Sequence, residues 1–147
     1  MDGEKRSKLT IGGFVLGIAG TGTVLSAGLL TLIIVLNKIV RMEEGVPSLS
    51  SMLMIALVGL VFAMGVFVLF SSLGIWKLSV KGAGVNLGIG IVLLTLSQGL
   101  LILLEDFILA SAPLWTFLTI LYYLMGLSTT LSGIFGIIAY FTKPKVT

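Results

Sequence analysis

Four polar side chains occur within or at the end of one long apolar segment of the sequence: Asn86, Thr95, Gln98 and Glu105. Amides, hydroxyls and carboxylates are the groups that line a path for water, a small solute or a cation through a membrane. For Asn86 and Gln98 a structural role is favoured over such a path, because an amide removed from water needs a hydrogen-bond partner on a neighbouring helix. Glu105 and Asp106 are adjacent, so on a helix they point about 100° apart and do not form a paired acid and base.

Other kinds of chemistry are excluded by the residue types that are missing. The 147 residues include neither histidine nor cysteine. The chain therefore has no imidazole base, no thiolate nucleophile, no disulfide, and none of the usual ligand sets for zinc, haem or iron–sulfur clusters. We expect no catalytic residue, no metal site and no cofactor, and we do not expect an enzyme.

The composition predicts an integral membrane protein. Only 10% of the residues are charged and 57% are hydrophobic, whereas a soluble domain carries about 25% charged residues. The charges leave four long gaps, residues 9–37, 45–76, 82–104 and 107–142. Each gap can hold one membrane-spanning helix of about 20 residues, and none alternates as a barrel strand does. The expected fold is all-α: a polytopic four-transmembrane-helix bundle that forms a single domain over residues 1–147.

Helix-breaking and helix-capping residues predict where each span begins and ends. Gly45 and Pro47 interrupt the chain after the first span, and Ser48, Ser50 and Ser51 can cap the second. Pro113 is favourable in the first turn of the fourth span. The predicted spans are residues 9–40, 51–76, 82–104 and 113–141.

The basic residues predict the orientation in the membrane. Seven of the nine would lie on one side, and they are Lys5, Arg6, Lys8, Lys77, Lys81, Lys143 and Lys145. Only Lys38 and Arg41 would lie on the other side. Short loops rich in Lys and Arg stay in the cytoplasm, so we expect a cell-membrane protein with both termini cytoplasmic (N-in/C-in).

The same charges predict the partners at the membrane surface. A basic cytoplasmic face attracts anionic lipid headgroups, at about 1 kcal/mol per basic residue near the surface. Outside the spans the chain has no platform of basic and aromatic residues of the kind that binds nucleic acid, so no nucleic-acid partner is expected.

Glycines and other small residues form stripes along the predicted helices. At about 100° per residue, two of these stripes begin with a Gly-x-x-x-Gly pair, a pattern that lets helix backbones approach closely in lipid. We interpret all the stripes as helix-packing surfaces. Their residues are Gly13, Gly17, Gly20 and Gly28 on the first helix, Gly84, Gly88 and Gly99 on the third, and Ser132 and Gly136 on the fourth.

The first and third spans also resemble each other. An offset of 71 residues aligns the segment that begins at Gly13 with the segment that begins at Gly84, and half of the aligned residues from 13 to 32 are identical. A tandem repeat of two helical hairpins would explain the match, and so would chance among many leucines and glycines. A parallel repeat of this kind occurs in some transporters.

Two functional hypotheses follow from the sequence. The first is a non-enzymatic subunit or packing partner of a membrane assembly, present as a homo-oligomer or within a larger membrane complex. The alternative is a small-solute or ion conduit that acts as a homo-oligomer, with Asn86, Thr95, Gln98 and Glu105 around a polar cavity. No motif in the chain supports a family assignment.

Overall fold

The protein consists of four long α-helices. The computed structural model describes residues 7–41, 48–105 and 112–142, and these form α1 (Lys8–Arg41), α2 (Leu49–Trp76), α3 (Val80–Glu105) and α4 (Ala112–Phe141). Each helix is long and apolar enough to cross a membrane. The prediction of an all-helical chain with four candidate membrane spans is therefore confirmed. Each helix boundary lies within two residues of the boundary predicted from the sequence.

The helices are arranged as a ring in chain order. α1 packs against α2 and α4, and α3 packs against α4 and α2, whereas the diagonal pairs make few contacts. Gly13 of α1 lies against Gly136 of α4, and Gly20 lies against Thr129. The residue numbers therefore rise along α1 as they fall along α4. Neighbouring helices are therefore antiparallel, as in an up-down-up-down bundle.

Antiparallel neighbours give the bundle two distinct ends. The N-termini of α1 and α3 share one end with the C-termini of α2 and α4, and we call it the Lys77 end. The opposite end contains the C-termini of α1 and α3, and we call it the Glu105 end. The predicted charges at residues 1–6, 42–47, 106–111 and 143–147 lie outside the described residues.

The interior differs between the two ends. Toward the Glu105 end, buried aliphatic side chains from all four helices form a continuous cluster that includes Val35, Met54, Leu104 and Leu118. Toward the Lys77 end, glycines, serines and Asn86 share the interior with buried apolar side chains such as Val68 and Ile75. Large apolar residues such as Ile33, Phe67 and Ile102 face outward. Small residues inside and bulky apolar residues outside suit a bundle whose solvent is lipid, because lipid accepts apolar surface at no cost.

A tight turn joins α2 to α3 at the Lys77 end. The backbone N–H of Leu78 donates to the carbonyl of Ile75 at 2.8 Å, and that of Ser79 donates to the carbonyl of Gly74 at 2.9 Å. These bonds satisfy carbonyls left open at the end of α2. Leu78 has a φ of 58°, the left-handed conformation that commonly ends a helix. The turn places Gly82 of α3 directly against α2.

Candidate functional site

One hydrogen-bonded cluster of buried polar side chains lies inside the bundle, and we call it the hydroxyl–amide node. It consists of Asn86, Ser71, Ser72 and Ser132. The Asn86 side-chain nitrogen donates to Ser72 Oγ at 3.0 Å and to Ser132 Oγ at 2.9 Å. Ser71 Oγ donates to Asn86 Oδ1. Both amide hydrogens and the amide oxygen of Asn86 are therefore occupied.

The node connects all four helices. Ser132 Oγ of α4 donates to the backbone carbonyl of Gly13 in α1 at 2.6 Å. Ser72 Oγ donates to the carbonyl of Val68 in its own helix at 2.6 Å. Throughout the described part of the chain, every buried side-chain nitrogen or oxygen has a hydrogen-bond partner. The node therefore holds the helices in register and offers no unpaired polar atom to a solute.

A second buried polar contact lies nearer the Glu105 end. Thr31 Oγ1 of α1 donates to the Ala27 carbonyl at 2.8 Å, so its oxygen accepts the hydroxyl hydrogen of Tyr122 from α4. Both residues are buried. This bond satisfies the tyrosine hydroxyl within the bundle, which a buried phenol requires.

The glycine stripe of α1 faces into the bundle. A Cβ built on Gly13 would lie 3.2 Å from the backbone of α4, and one built on Gly20 would lie 2.7 Å from Thr129 Oγ1. At Gly17 a Cβ would overlap Ser72 Oγ and lie 2.8 Å from Ser132 Oγ. α1 therefore approaches α2 and α4 as closely as it does because these positions carry no side chain. A Cβ built on Gly28 would lie 3.2 Å from Cζ of the Phe62 ring in α2.

The small residues of α4 also lie at helix contacts. Ser132 belongs to the hydroxyl–amide node, and a Cβ on Gly136 would lie 2.8 Å from Ala83 Cβ of α3. Sequence reasoning missed Gly90, Gly126 and Gly133, which carry the contact between α3 and α4. A Cβ on Gly90 or Gly133 would overlap the facing helix, and one on Gly126 would lie 2.6 Å from Leu94. The spacing of Asn86 and Gly90, four residues apart, was the available signal.

The predicted glycines of α3 lie on the opposite side of that helix. Gly84, Gly88 and Gly99 are exposed, and a Cβ on any of them would meet nothing within 4 Å. They therefore make no close helix contact within the described chain. Other exposed residues follow the same line, and together they form the α3 outer face, defined as Gly84, Gly88, Ile91, Thr95, Gln98 and Ile102, with Gly99 beside it.

The structure separates the four residues of the predicted polar cavity. Asn86 is buried in the node, whereas Thr95, Gln98 and Glu105 are exposed on the same side of α3. Thr95 Oγ1 donates to the Ile91 carbonyl at 3.1 Å. Gln98 makes no hydrogen bond to any described residue. Because Asn86 points inward and the other three point outward, these residues do not enclose one cavity within a single chain.

The buried positions of α1 and α3 correspond at a different offset from the one in the sequence alignment. Gly13 and Gly17 are buried in α1, and the buried pair with the same four-residue spacing in α3 is Asn86 and Gly90, 73 residues later. The offset of 71 instead pairs Gly13 with exposed Gly84. Two residues of helix amount to about 200° of rotation, so the aligned glycines face opposite ways.

The two ends of the bundle differ in their charged residues. Lys8, Lys77 and Lys81 are at the Lys77 end, where the rings of Phe14 and Trp76 pack at a tilt of 45° with centroids 4.7 Å apart. An aromatic pair beside basic residues is typical of a membrane–water boundary.

Comparison with known protein families, with curated proteins and with solved structures gave no match to this chain.

Proposed function

We propose that this protein is a non-enzymatic subunit of a membrane assembly, held to its partner by helix packing. It would sit in the cell membrane with both termini in the cytoplasm, and its basic end would contact anionic lipid headgroups. The observation that carries the proposal is the contrast between the closed interior of the bundle and the open α3 outer face.

In the described part of the chain, the interior leaves no buried polar side-chain atom without a hydrogen-bond partner. The buried amide and hydroxyls bond to one another and to helix backbones, and buried glycines bring the helices together there. Interhelical hydrogen bonds of this kind add about 0.6 kcal/mol each to membrane bundles. The interior therefore stabilises the fold, and any interaction that defines the function falls on the outer surface.

The α3 outer face is the part of that surface least suited to lipid. It presents Gly84 and Gly88 with open space above them, and Gln98 with no hydrogen-bond partner in the described chain. Glycines give lipid chains little to pack against, and an amide in hydrocarbon lacks hydrogen bonds. A neighbouring helix would pack against the glycines and supply hydrogen bonds to the amide.

The mass of the particle in native lipid tests the proposal. The protein is extracted from its own membrane in polymer-bounded lipid discs, which keep neighbouring proteins together, and its protein mass is measured. We expect a mass well above the 15.5 kDa of one chain. A particle that contains only one chain would contradict the proposal.

A conduit formed between copies is the second candidate, because Thr95, Gln98 and Glu105 share one exposed side of α3. Copies that met along this side would line their contact with a hydroxyl, an amide and a carboxylate. Purified protein in liposomes would then pass K⁺ or Na⁺, recorded with a potential-sensitive dye, and Gln98→Leu would abolish the flux while the protein stayed folded. Equal flux in wild type and variant would exclude this candidate for these ions.

A further inference from the structure

We propose that the α3 outer face pairs with the same face of a second copy of this chain, so that the two Gln98 amides hydrogen-bond across a two-fold axis along the membrane normal. The inference rests on the proposed function and names its partner.

Gln98 lies well inside the membrane span of α3. It lies seven residues before Glu105 and seventeen after Lys81, the nearest charged residues on either side in α3. At about 1.5 Å per residue, Gln98 is about 10 Å from the charged end of the helix, inside a hydrocarbon layer about 30 Å thick. Its side chain is exposed and has no hydrogen-bond partner among the described residues.

An amide at this depth needs a hydrogen-bond partner, and the described residues of the chain supply none. Leaving amide hydrogen bonds unmade in an apolar medium costs several kcal/mol. A glutamine side chain carries two donors and an acceptor, so a second glutamine at the same depth satisfies it. The group is therefore complementary to itself, which is what a symmetric contact between identical chains requires.

The spacing along α3 fits packing against a second helix. From Gly84 the residues of the α3 outer face follow at intervals of four, three, four, three and four, ending at Ile102. This is the alternation of the contact positions in a left-handed helix pair. The small residues Gly84, Gly88 and Thr95 let the two backbones come close, so that the amides at Gln98 can meet.

Membrane insertion determines the direction of the pairing. The bias of basic residues toward one end gives every copy the same orientation, so two α3 helices that meet side by side are parallel and their Gln98 residues are level. The charged residues on this side of the helix, Lys81 and Glu105, lie at its two ends. Charges there face water, which screens the repulsion between equal charges of the two copies.

The other outer surfaces of the bundle suit lipid better. α1 exposes the small residues Gly22 and Ser26 among bulky ones such as Leu29, but its exposed amide, Asn37, lies at the charged end of the helix and accepts a hydrogen bond from Arg41 at 3.1 Å. α4 exposes bulky residues that include Phe117 and Ile120. α2 exposes Gly59 with open space above it, but no amide accompanies it within that helix. Among the described spans, the α3 outer face combines small residues with an unpaired amide.

Disulfide cross-linking tests the pairing directly, because the chain has no cysteine of its own. Thr95→Cys places one thiol on the α3 outer face, and Ser26→Cys places one on the exposed side of α1. The two positions lie at similar levels, about 3 Å apart at 1.5 Å per residue, since Gly20 faces Thr129 and Gly90 faces Thr130 on the shared neighbour α4. A disulfide forms only when the two Cα atoms come within about 7 Å.

We expect copper–phenanthroline oxidation of membrane vesicles to convert Thr95→Cys into a disulfide-linked dimer. The Ser26→Cys protein, at equal abundance, stays a monomer. Equal cross-linking of both variants would indicate random collision and overturn the proposal. Absence of cross-linking in Thr95→Cys would overturn it as well.

The second measurement is the association of labelled chains in liposomes, followed by energy transfer. Gln98→Leu removes both amides of the pair, and we expect dimerisation to weaken about tenfold, which corresponds to about 1.4 kcal/mol. Unchanged association would overturn the inference. If Thr95→Cys gave no homodimer and the native particle still exceeded one chain, a different protein would occupy the face. The second-copy inference would then fail while the proposed function stood. A particle of one chain in native lipid would overturn both.

Discussion

At the scale of single residues, the side of the helix from which an amide projects determines whether it finds hydrogen-bond partners within the bundle. Asn86 points into the bundle and bonds to three serines from two other helices. Gln98 lies twelve residues later on the same helix, points outward and bonds to no described residue. The first amide stabilises the chain itself, and the second is available to a partner.

These two amides give a matched prediction for the stability of the isolated chain. Asn86→Leu removes three hydrogen bonds, and at about 0.6 kcal/mol each the free energy of unfolding falls by about 2 kcal/mol. Gln98→Leu also replaces an amide with leucine, but on the outer surface of the bundle, and it leaves that free energy unchanged. Unfolding by SDS in mixed micelles, at protein dilutions where the chain is monomeric, measures both values. An equal loss in the two variants would contradict the assigned orientations.

At the scale of the helix, the sequence shows which residues share a face but not which face turns inward. The stripes of Gly13 and Gly17 on α1 and of Gly84 and Gly88 on α3 have the same pattern, yet the first is buried and the second is exposed. In a soluble helix the contrast between polar and apolar faces resolves this question. In lipid both faces are apolar, so the orientation of α3 depends on its neighbours. Gly90 packs on Thr130, and the residue opposite Gly133 is Leu87.

The junction of α2 and α3 gives a prediction at this scale. A Cβ on Gly82 would lie 2.6 Å from the Ser71 carbonyl oxygen, whereas one on Gly84 would meet nothing within 4 Å. Gly82→Val therefore pushes α2 and α3 apart and lowers the free energy of unfolding by about 1–3 kcal/mol, the usual cost of overpacking.

Gly84→Val is the matched control, two residues away on the same helix. Its side chain extends into open space, so the chain unfolds as the wild type does under conditions where it is monomeric. Thermal unfolding in detergent, followed by circular dichroism, compares the two variants. A Gly84→Val protein as unstable as Gly82→Val would contradict the packing described for α3.

At the scale of the whole molecule, the gaps between charges were enough to predict the number and the length of the helices. Each uncharged run contains one helix, and Lys77 and Lys81 mark the turn between α2 and α3. The hydroxyl–amide node was not predictable in the same way. Its serines are on α2 and α4, and serine in an apolar run can bond its own helix as readily as a neighbour. Only the packing of the four helices brings them to Asn86.

The proposed orientation is tested by labelling single cysteines in this cysteine-free chain. Ser79→Cys lies in the turn at the Lys77 end, and Ser50→Cys is exposed at the other end. Because loops rich in Lys stay in the cytoplasm, a membrane-impermeant maleimide added to intact cells should label Ser50→Cys alone. Labelling of Ser79→Cys from outside would reverse the orientation.

The most direct test of the account is the mass of the particle in native lipid discs for three proteins: wild type, Gly88→Leu and Gly22→Leu. Gly22 is an exposed glycine on α1 with nothing within 4 Å of a Cβ, as Gly88 is on α3. Both substitutions add the same bulk outside the bundle. If the α3 outer face holds the assembly together, Gly88→Leu reduces the particle to one chain, and wild type and Gly22→Leu stay in the larger particle. The same mass for wild type and Gly88→Leu would contradict the account.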